Sequence, residues 1–478
     1  MNKRQTASSP AIRKSLIILV ALFTVNIFDS CSWLKNPANQ NPPALVTAPV
    51  FSAKDTYYVD NNVGSDANPG TQSQPWKSIQ KAANTAMPGK TILVQAGTYD
   101  ENVKINTSGT ASARIIFQAA GKVVTHGFTV HANYVTINGF EITNKVPDFS
   151  GWGVYLAGSN DLVENNDIHD TSWGGIIAFA NMADPALASN DLIQHNKIYQ
   201  VGQMGIDLRG RNNIAEYNDI SYVMQYPDWL TNLPSWADAD GIHFHGQGHI
   251  LRGNYIHDIS YSQPENISPH IDCFQTFADA NHEAASNIVI EQNRCDNDFL
   301  VHSTGEGGSG FTIADASDIL IRNNLVDAFV NVFLLNDTSI SILNNTLIGN
   351  LRQNVNLSPT GVQINAGTTN TVIENNIFYN QPGNIIYVKG AQPISGKNII
   401  YRDDGQQINS NDTYSPVNDL WDINPLFVDS QNGDYHLQAG SPAIDAGYNL
   451  NQSVPNDFAG TIRPQGQDYD IGAYEYTP

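Results

Sequence analysis

Cysteine is scarce, three in 478 residues, so neither a disulfide-knit mini-domain nor a cysteine-rich metal fold is open to this chain. Basic residues are also few: 24 Lys and Arg stand against 46 Asp and Glu, a net charge of -22. That field repels phosphate backbones and anionic lipid, which excludes nucleic acid as a partner. A polyanionic substrate needs a bound cation or local basic groups to approach. Long apolar runs are missing too, since the stretch Leu16 to Phe28 falls short of the roughly 20 residues that span a bilayer.

That stretch has instead the layout of an export signal, with Lys3, Arg4, Arg13 and Lys14 ahead of it. Phe28-Asp29-Ser30-Cys31 resembles a bacterial lipoprotein processing site, which would place a lipid anchor at Cys31; ordinary secretory cleavage nearby is the alternative. Residues 1–31 are therefore expected to be a leader. Residues 32–53, rich in Pro, Asn and Ala, are expected to be a tether. The mature chain is expected outside the cytoplasm, secreted or held at a bacterial surface, touching membrane only through that anchor, and monomeric. Cys273 and Cys295 either pair or stay as buried thiols.

What the chain has in abundance is one returning phrase: apolar, polar, Asn, polar, apolar. It recurs around Asn138, Asn166, Asn196, Asn218, Asn254, Asn293, Asn324, Asn345 and Asn376, at spacings of about 21 to 39 residues. A unit of just over twenty residues repeated with insertions is a solenoid period. Before the phrase stand short runs such as Gly153-Val154-Tyr155-Leu156, Gly205-Ile206-Asp207-Leu208, Gly241-Ile242-His243-Phe244 and Gly361-Val362-Gln363-Ile364. Alternation over four or five residues gives strands, and runs so short do not make helices. Stacked coils then bury an aliphatic interior, and the repeated Asn bonds its equivalents in neighbouring coils at a turn. The fold expected is all-β, a parallel β-helix over 54–400 closed by a packed segment at 401–478.

Tyr57-Tyr58-Val59-Asp60, Gly64-Ser65-Asp66, Gly70, Pro75-Trp76-Lys77-Ser78-Ile79-Gln80 and Gly97-Thr98-Tyr99 resemble the opening segment of the pectate-lyase-like superfamily of right-handed β-helices, polysaccharide lyase family 9 in particular. The resemblance implies a short capping helix at about Ile79 to Met87. Asn424-Pro425-Leu426-Phe427, Ser441-Pro442-Ala443-Ile444-Asp445-Ala446-Gly447 and Asp470-Ile471-Gly472-Ala473-Tyr474-Glu475 resemble the closing segment of secreted bacterial β-helices. Fold and export are implied more specifically than any reaction.

Aligning coils by the Asn phrase brings Asp207 and Arg209, then Asp240, His243 and His245, then Asp272 and Gln275, then His302 into neighbouring coils. Adjacent parallel strands lie about 4.8 Å apart, so side chains two coils apart still straddle one sugar ring. Tyr226, Trp229, Trp236 and the stretch from Glu306 to Gly310 are candidate groove walls. His257, His270 and His282 are assigned to solvated loops.

Two enzyme layouts compete for this cluster, both taken from resemblance. Family-9 lyases hold calcium on an Asp-Gly and an Asp-Asp pair and use a Lys base. Here Asp240-Gly241 and Asp272 match, Ile271 replaces one Asp, and no Lys lies between Lys197 and Lys389. His245 or Arg209 then takes the proton, with calcium at Asp240 and Asp272. Family-28 glycoside hydrolases also place carboxylates on successive coils, followed by a His. Asp240 and Asp272 would activate water, with His302 next, although Ile271 stands where that family keeps its acid. Glu306, Asp207 or a protonated His would have to replace it. The expected substrate contacts are Asp207, Gln275, Trp236 and Glu306. A non-catalytic carbohydrate-binding surface is the third alternative.

Overall fold

The computed structural model describes residues 55–146, 150–223, 239–259, 271–296, 308–349, 360–406, 408, 414 and 417–478. The expected leader and tether lie outside them. Three parallel sheets wind as a right-handed β-helix. Sheet 1 runs from Trp152–Leu156 to Asn384–Val388, sheet 2 from Val135–Asn138 to Ile394–Gly396, and sheet 3 from Glu141–Ile142 to Leu420–Trp421. Two long strands, Thr91–Ile105 and Ile115–Val130, make the first turns. Among the described residues no helix is long and apolar enough to cross a membrane.

Period-2 alternation sends one side of each strand inward. Along sheet 1 the inward column reads Val154, Ile176, Ile206, Ile242, Phe274, Phe311, Val332, Val362 and Ile386, in register from coil to coil and all buried. The continuous apolar stack that results is the main store of stability.

The Asn repeat forms the ladder expected of it. Asn196 Nδ2 donates to Asn218 Oδ1 at 3.0 Å, and the Asn196 backbone N–H donates to the same oxygen at 3.0 Å. Asn218 repeats both bonds to Asn254, and Asn254 to Asn293. The residue before each ladder Asn has positive φ, including Asn165, His195, Tyr217, Gly253, Asn323 and Asn375, so the turn is tight enough to stack. Asn138 is not a rung: it pairs with Glu164 in sheet 2, and Phe140 donates its N–H to Asn166, the first rung. The ladder instead continues beyond Asn376 to Asn398 and ends on Asp419.

The N-terminal helix spans Ile79–Thr85, two residues short of expectation, because Met87 precedes Pro88 and the chain has left the helix by Ala86. Ser78 Oγ and the Glu101 carboxylate accept its first N–H groups. At the other end the coils run past residue 400, since Leu420–Trp421 still pairs with Ile399–Tyr401. The closing segment then packs along the flank of sheet 3: Phe427, Tyr435, Ala443, Ile471 and Tyr474 cover Leu325, Ile348, Ile377, Tyr379 and Ile399.

Cys273 and Cys295 are disulfide-bonded across the interior from sheet 1 to sheet 3. Other coils place Gly against Ile at this corner: a Cβ on Gly153, Gly175, Gly205 or Gly241 would meet Ile168, Ile198, Ile220 or Ile256 at 2.5–2.7 Å. One coil therefore replaces a Gly–Ile pair with two half-cystines.

Candidate functional site

The outward column of sheet 1 is where the coil alignment places the chemistry. Asp207 is in register with His243, and His243 with Gln275. His245 lies two residues beyond His243 and so on the same face. Among the described residues, Asp207, His243 and His245 form a group of potential metal ligands whose ligand atoms lie within 4.8 Å of one another.

Each of these side chains is held by one of its two polar atoms. Asp207 is fully buried, and its Oδ2 accepts Arg209 Nε at 2.9 Å and Nη2 at 2.7 Å. Burial pushes that carboxyl up, but the guanidinium outweighs it and the group stays below its ordinary range. Arg209 also lies over the Phe179 ring at 5.5 Å. Gln275 Nε2 donates to Asp272 Oδ2 at 2.8 Å, which fixes the amide so that Oε1 faces His243 Nε2 at 2.5 Å. The same nitrogen lies 3.1 Å from Asp240 Oδ2. His243 Nε2 thus faces two acceptors and carries a hydrogen. Burial lowers the His243 pKa, yet Asp240 and Asp207 reverse this and raise it to about 9.

His245 is the opposite case. Its Nδ1 lies 3.1 Å from the Phe277 carbonyl, which only accepts, so Nδ1 carries the hydrogen and Nε2 keeps its lone pair. Burial drives its pKa well below the ordinary value. Its backbone is fixed by His249: Asn213 N–H donates to Nδ1 at 3.0 Å, leaving Nε2–H to donate to the His245 carbonyl at 2.8 Å. Burial lowers His249 to about 4, and it serves as a turn rung. A cleft lined by Arg209, His245, Gly246, His282 and Glu283 opens beside this pair.

Asp240 and Asp272 are 0% and 3% exposed. The Asp272 N–H donates to Asp240 Oδ1 at 3.0 Å, and the Ser309 N–H to Asp272 Oδ1 at 3.0 Å. Their second oxygens face His243 and Gln275. Calcium takes six to eight oxygen ligands from flexible carboxylates, carbonyls and water. Here all four carboxylate oxygens already face N–H donors of the protein, so this pair does not fit a calcium cage. The two acids brace the strands and orient His243 and Gln275.

Trp236, His302, Glu306, Tyr226, Trp229 and His270 lie outside the described residues. His282 lies in the loop expected and is partly exposed, but its ring stacks on His245 at 4.5 Å, and its Nδ1 contacts Asp279 at 2.9 Å. His257 lies in the sheet 3 strand Tyr255–His257, between Asp219 and Asp258. Phe277 and Phe179 were missed, because a backbone carbonyl and a ring acting through its face leave no motif in sequence.

Comparison with known proteins places this site within a recognisable region. Residues 57–262 match the model of the Pel9A-like right-handed β-helix region. That span includes Asp207, Arg209, Asp240, His243 and His245 and stops short of Asp272. Pectate lyase PEL9 of Emericella nidulans is 28% identical over 225 residues, 44% of this chain and 47% of that protein. The uncharacterized protein YwoF of Bacillus subtilis is 27% identical over 176 residues, 33% of this chain and 35% of that protein. The match thus spans less than half the length of either relative. Among solved structures, XylC in complex with xylose superposes with a TM-score of 0.52 at 14% identity, covering 88% of this chain and 98% of that one; this agrees on fold.

Proposed function

We propose, from the premise that residues 57–262 are a Pel9A-like β-helix region, that this chain is an extracytoplasmic polysaccharide lyase that cleaves a uronate-containing glycan by β-elimination. The observation that carries it is His245 Nε2, a buried lone pair with no hydrogen-bond partner among the described residues, on a ring that lines a small cleft together with Arg209. Elimination needs one base to take the proton alpha to a carboxylate, and a cation to steady the charge that develops there. His245 Nε2 takes that proton. Arg209 faces the uronate carboxylate with Nη1, since Asp207 engages Nε and Nη2. The electron pair of the broken C–H bond forms the new double bond, and the glycosidic oxygen leaves with the Nδ1 proton of the His243 imidazolium, which the Asp240 and Asp207 charges keep protonated. No step passes through calcium.

Hydrolysis by Asp240 and Asp272 is less favoured, because each carboxylate is already engaged by protein donors. The Cys273–Cys295 disulfide supports an oxidising compartment, as the N-terminal segment suggests. A panel of uronate and neutral polysaccharides decides the matter. Unsaturated, ultraviolet-absorbing products in the presence of a chelator are expected from uronate glycans, and His245→Gln abolishes them. Reducing ends without unsaturation would establish a hydrolase instead, and binding without either product would leave a carbohydrate-binding surface.

A further inference from the structure

We propose that Asp207, His243 and His245 bind one divalent transition-metal ion, and that such an ion blocks the elimination by occupying the base. Among the described residues, Asp207 Oδ1, His243 Nδ1 and His245 Nε2 have no hydrogen-bond partner, although their residues are only 0%, 2% and 1% exposed. Buried polar atoms are rarely left unmade, and each of these three residues also offers a ligand atom within 4.8 Å of those of the other two, which marks a place for a shared ligand.

The opposite atom of each side chain is held. Arg209 grips Asp207 Oδ2, Gln275 and Asp240 face His243 Nε2, and the Phe277 carbonyl faces His245 Nδ1. Carboxylate and carbonyl partners of this kind fix the tautomer and aim of metal-bound imidazoles. His243 Nε2 keeps its hydrogen toward Gln275 and Asp240, so the metal takes the place of the proton at Nδ1. Backbone register keeps the donors together: Asp207 and His243 are paired across neighbouring strands, and His245 shares their face.

Two imidazole nitrogens and one carboxylate oxygen suit zinc, cobalt or nickel, and are a poor set for calcium, which takes oxygen. Three protein ligands leave open positions toward the cleft beside His245. Arg209 opposes a cation, and the Asp207 and Asp240 charges offset it. Only the inhibition rests on the lyase proposal. The ion takes the Nε2 lone pair that would accept the substrate proton, and the Nδ1 proton of His243 that it displaces goes to solvent.

The chelator-treated full chain is titrated with Co2+, followed by its visible absorption, with Zn2+ as competitor and Ca2+ as comparison. One equivalent of cobalt is expected to bind, to be displaced by zinc and not by calcium. His243→Gln and His245→Gln are expected to weaken binding by about a hundredfold or more, with melting curves showing whether they fold. His257→Gln, on sheet 3, is expected to bind as the parent does. No stoichiometric binding by the parent, or binding unchanged by His245→Gln, overturns the site and leaves the three atoms to water. Zinc inhibition of elimination is a separate measurement: absent on an active lyase, it overturns the inhibition alone. If no polysaccharide is cleaved, the lyase proposal fails, and the cobalt titration still decides the metal.

Discussion

The Asp272 N–H donates to the Asp240 carboxylate at 3.0 Å, so the first acid of the pair is bonded to the strand that carries the second. This is the geometry of the Asn ladder moved to the edge of sheet 1: a side-chain oxygen of one coil receives the N–H of its neighbour. It separates two roles within one residue, one oxygen for the fold and the other for His243.

Asp240→Asn and Asp240→Ala should therefore differ. Asn keeps an oxygen for the Asp272 N–H, as Asn218 does for Asn196, and should fold with less loss of stability than Ala. It also sets an amide N–H against His243 Nε2–H and removes the charge beside that ring. Elimination is expected to fall by about a hundredfold or more. Ala leaves the Asp272 N–H buried without an acceptor and should cost about 1–3 kcal/mol in urea denaturation. Equal stability of the two variants would show that the bond contributes nothing.

Ladder rungs should be more costly than that. Asn254 receives the N–H and Nδ2 of Asn218 and donates to the Ala215 carbonyl and to Asn293 Oδ1. Asn254→Ala leaves several buried groups unpaired at once. A loss of roughly 3 kcal/mol or more is expected, since each orphaned group costs about 1–3 kcal/mol. Asn138→Ala is its control, because Asn138 lies outside the ladder; equal losses in the two variants would contradict the assignment.

How much of this was legible in sequence follows from which interactions repeat. The Asn phrase and the inward aliphatic column recur from coil to coil, so they revealed the solenoid and aligned Asp207, His243 and Gln275. Asn138 was misplaced because its phrase matches in letters while the turn falls two residues later, at Phe140. The fates of Asp240 and Asp272 were not legible, for a carboxylate that accepts a backbone N–H and one that binds a cation are written alike. Burial and partners separate them, and both depend on three-dimensional neighbours. The tautomer of His245 likewise hangs on the carbonyl of Phe277, 32 residues away.

A second turn ladder makes stability pH-dependent. Asp161 Oδ1 accepts Val135 N–H, Asp191 Oδ1 accepts Asp161 N–H, and Asn213 Oδ1 accepts Asp191 N–H. Burial raises Asp161 to about 8 and raises Asp191 as well, with the Asp161 charge adding to the latter. Folded pKa values lie above the unfolded value of about 3.9, so the folded chain holds more protons in between. Stability from these groups is present at low pH and is lost as pH rises toward 8. Asp191→Asn, which copies the Asn213 rung, should be more stable than the parent at about pH 8 and show a shallower decline between about pH 5 and pH 8. Parallel pH profiles would show that Asp191 does not hold the proton.

The corner that carries the disulfide offers its own replacement. Where four coils set Gly against Ile, this one sets Cys273 against Cys295, 22 residues apart. Closing a loop of that length restrains the unfolded chain and is worth about 3 kcal/mol on the loop-entropy model. Changing both cysteines to Ser removes the bond and leaves two hydroxyls in an aliphatic corner, adding a desolvation cost of about 1–3 kcal/mol. Cys273→Gly with Cys295→Ile removes the bond and restores the packing of the neighbouring coils. The Gly/Ile pair should therefore lose no more than about 3 kcal/mol and exceed the Ser/Ser pair in stability by denaturant unfolding. Because Cys273 adjoins Asp272, elimination by the Gly/Ile chain also reports whether the strand keeps its register. Retained activity is expected, while a Gly/Ile chain less stable than Ser/Ser would mean that this corner is shaped for sulfur and does not share the packing of the other coils.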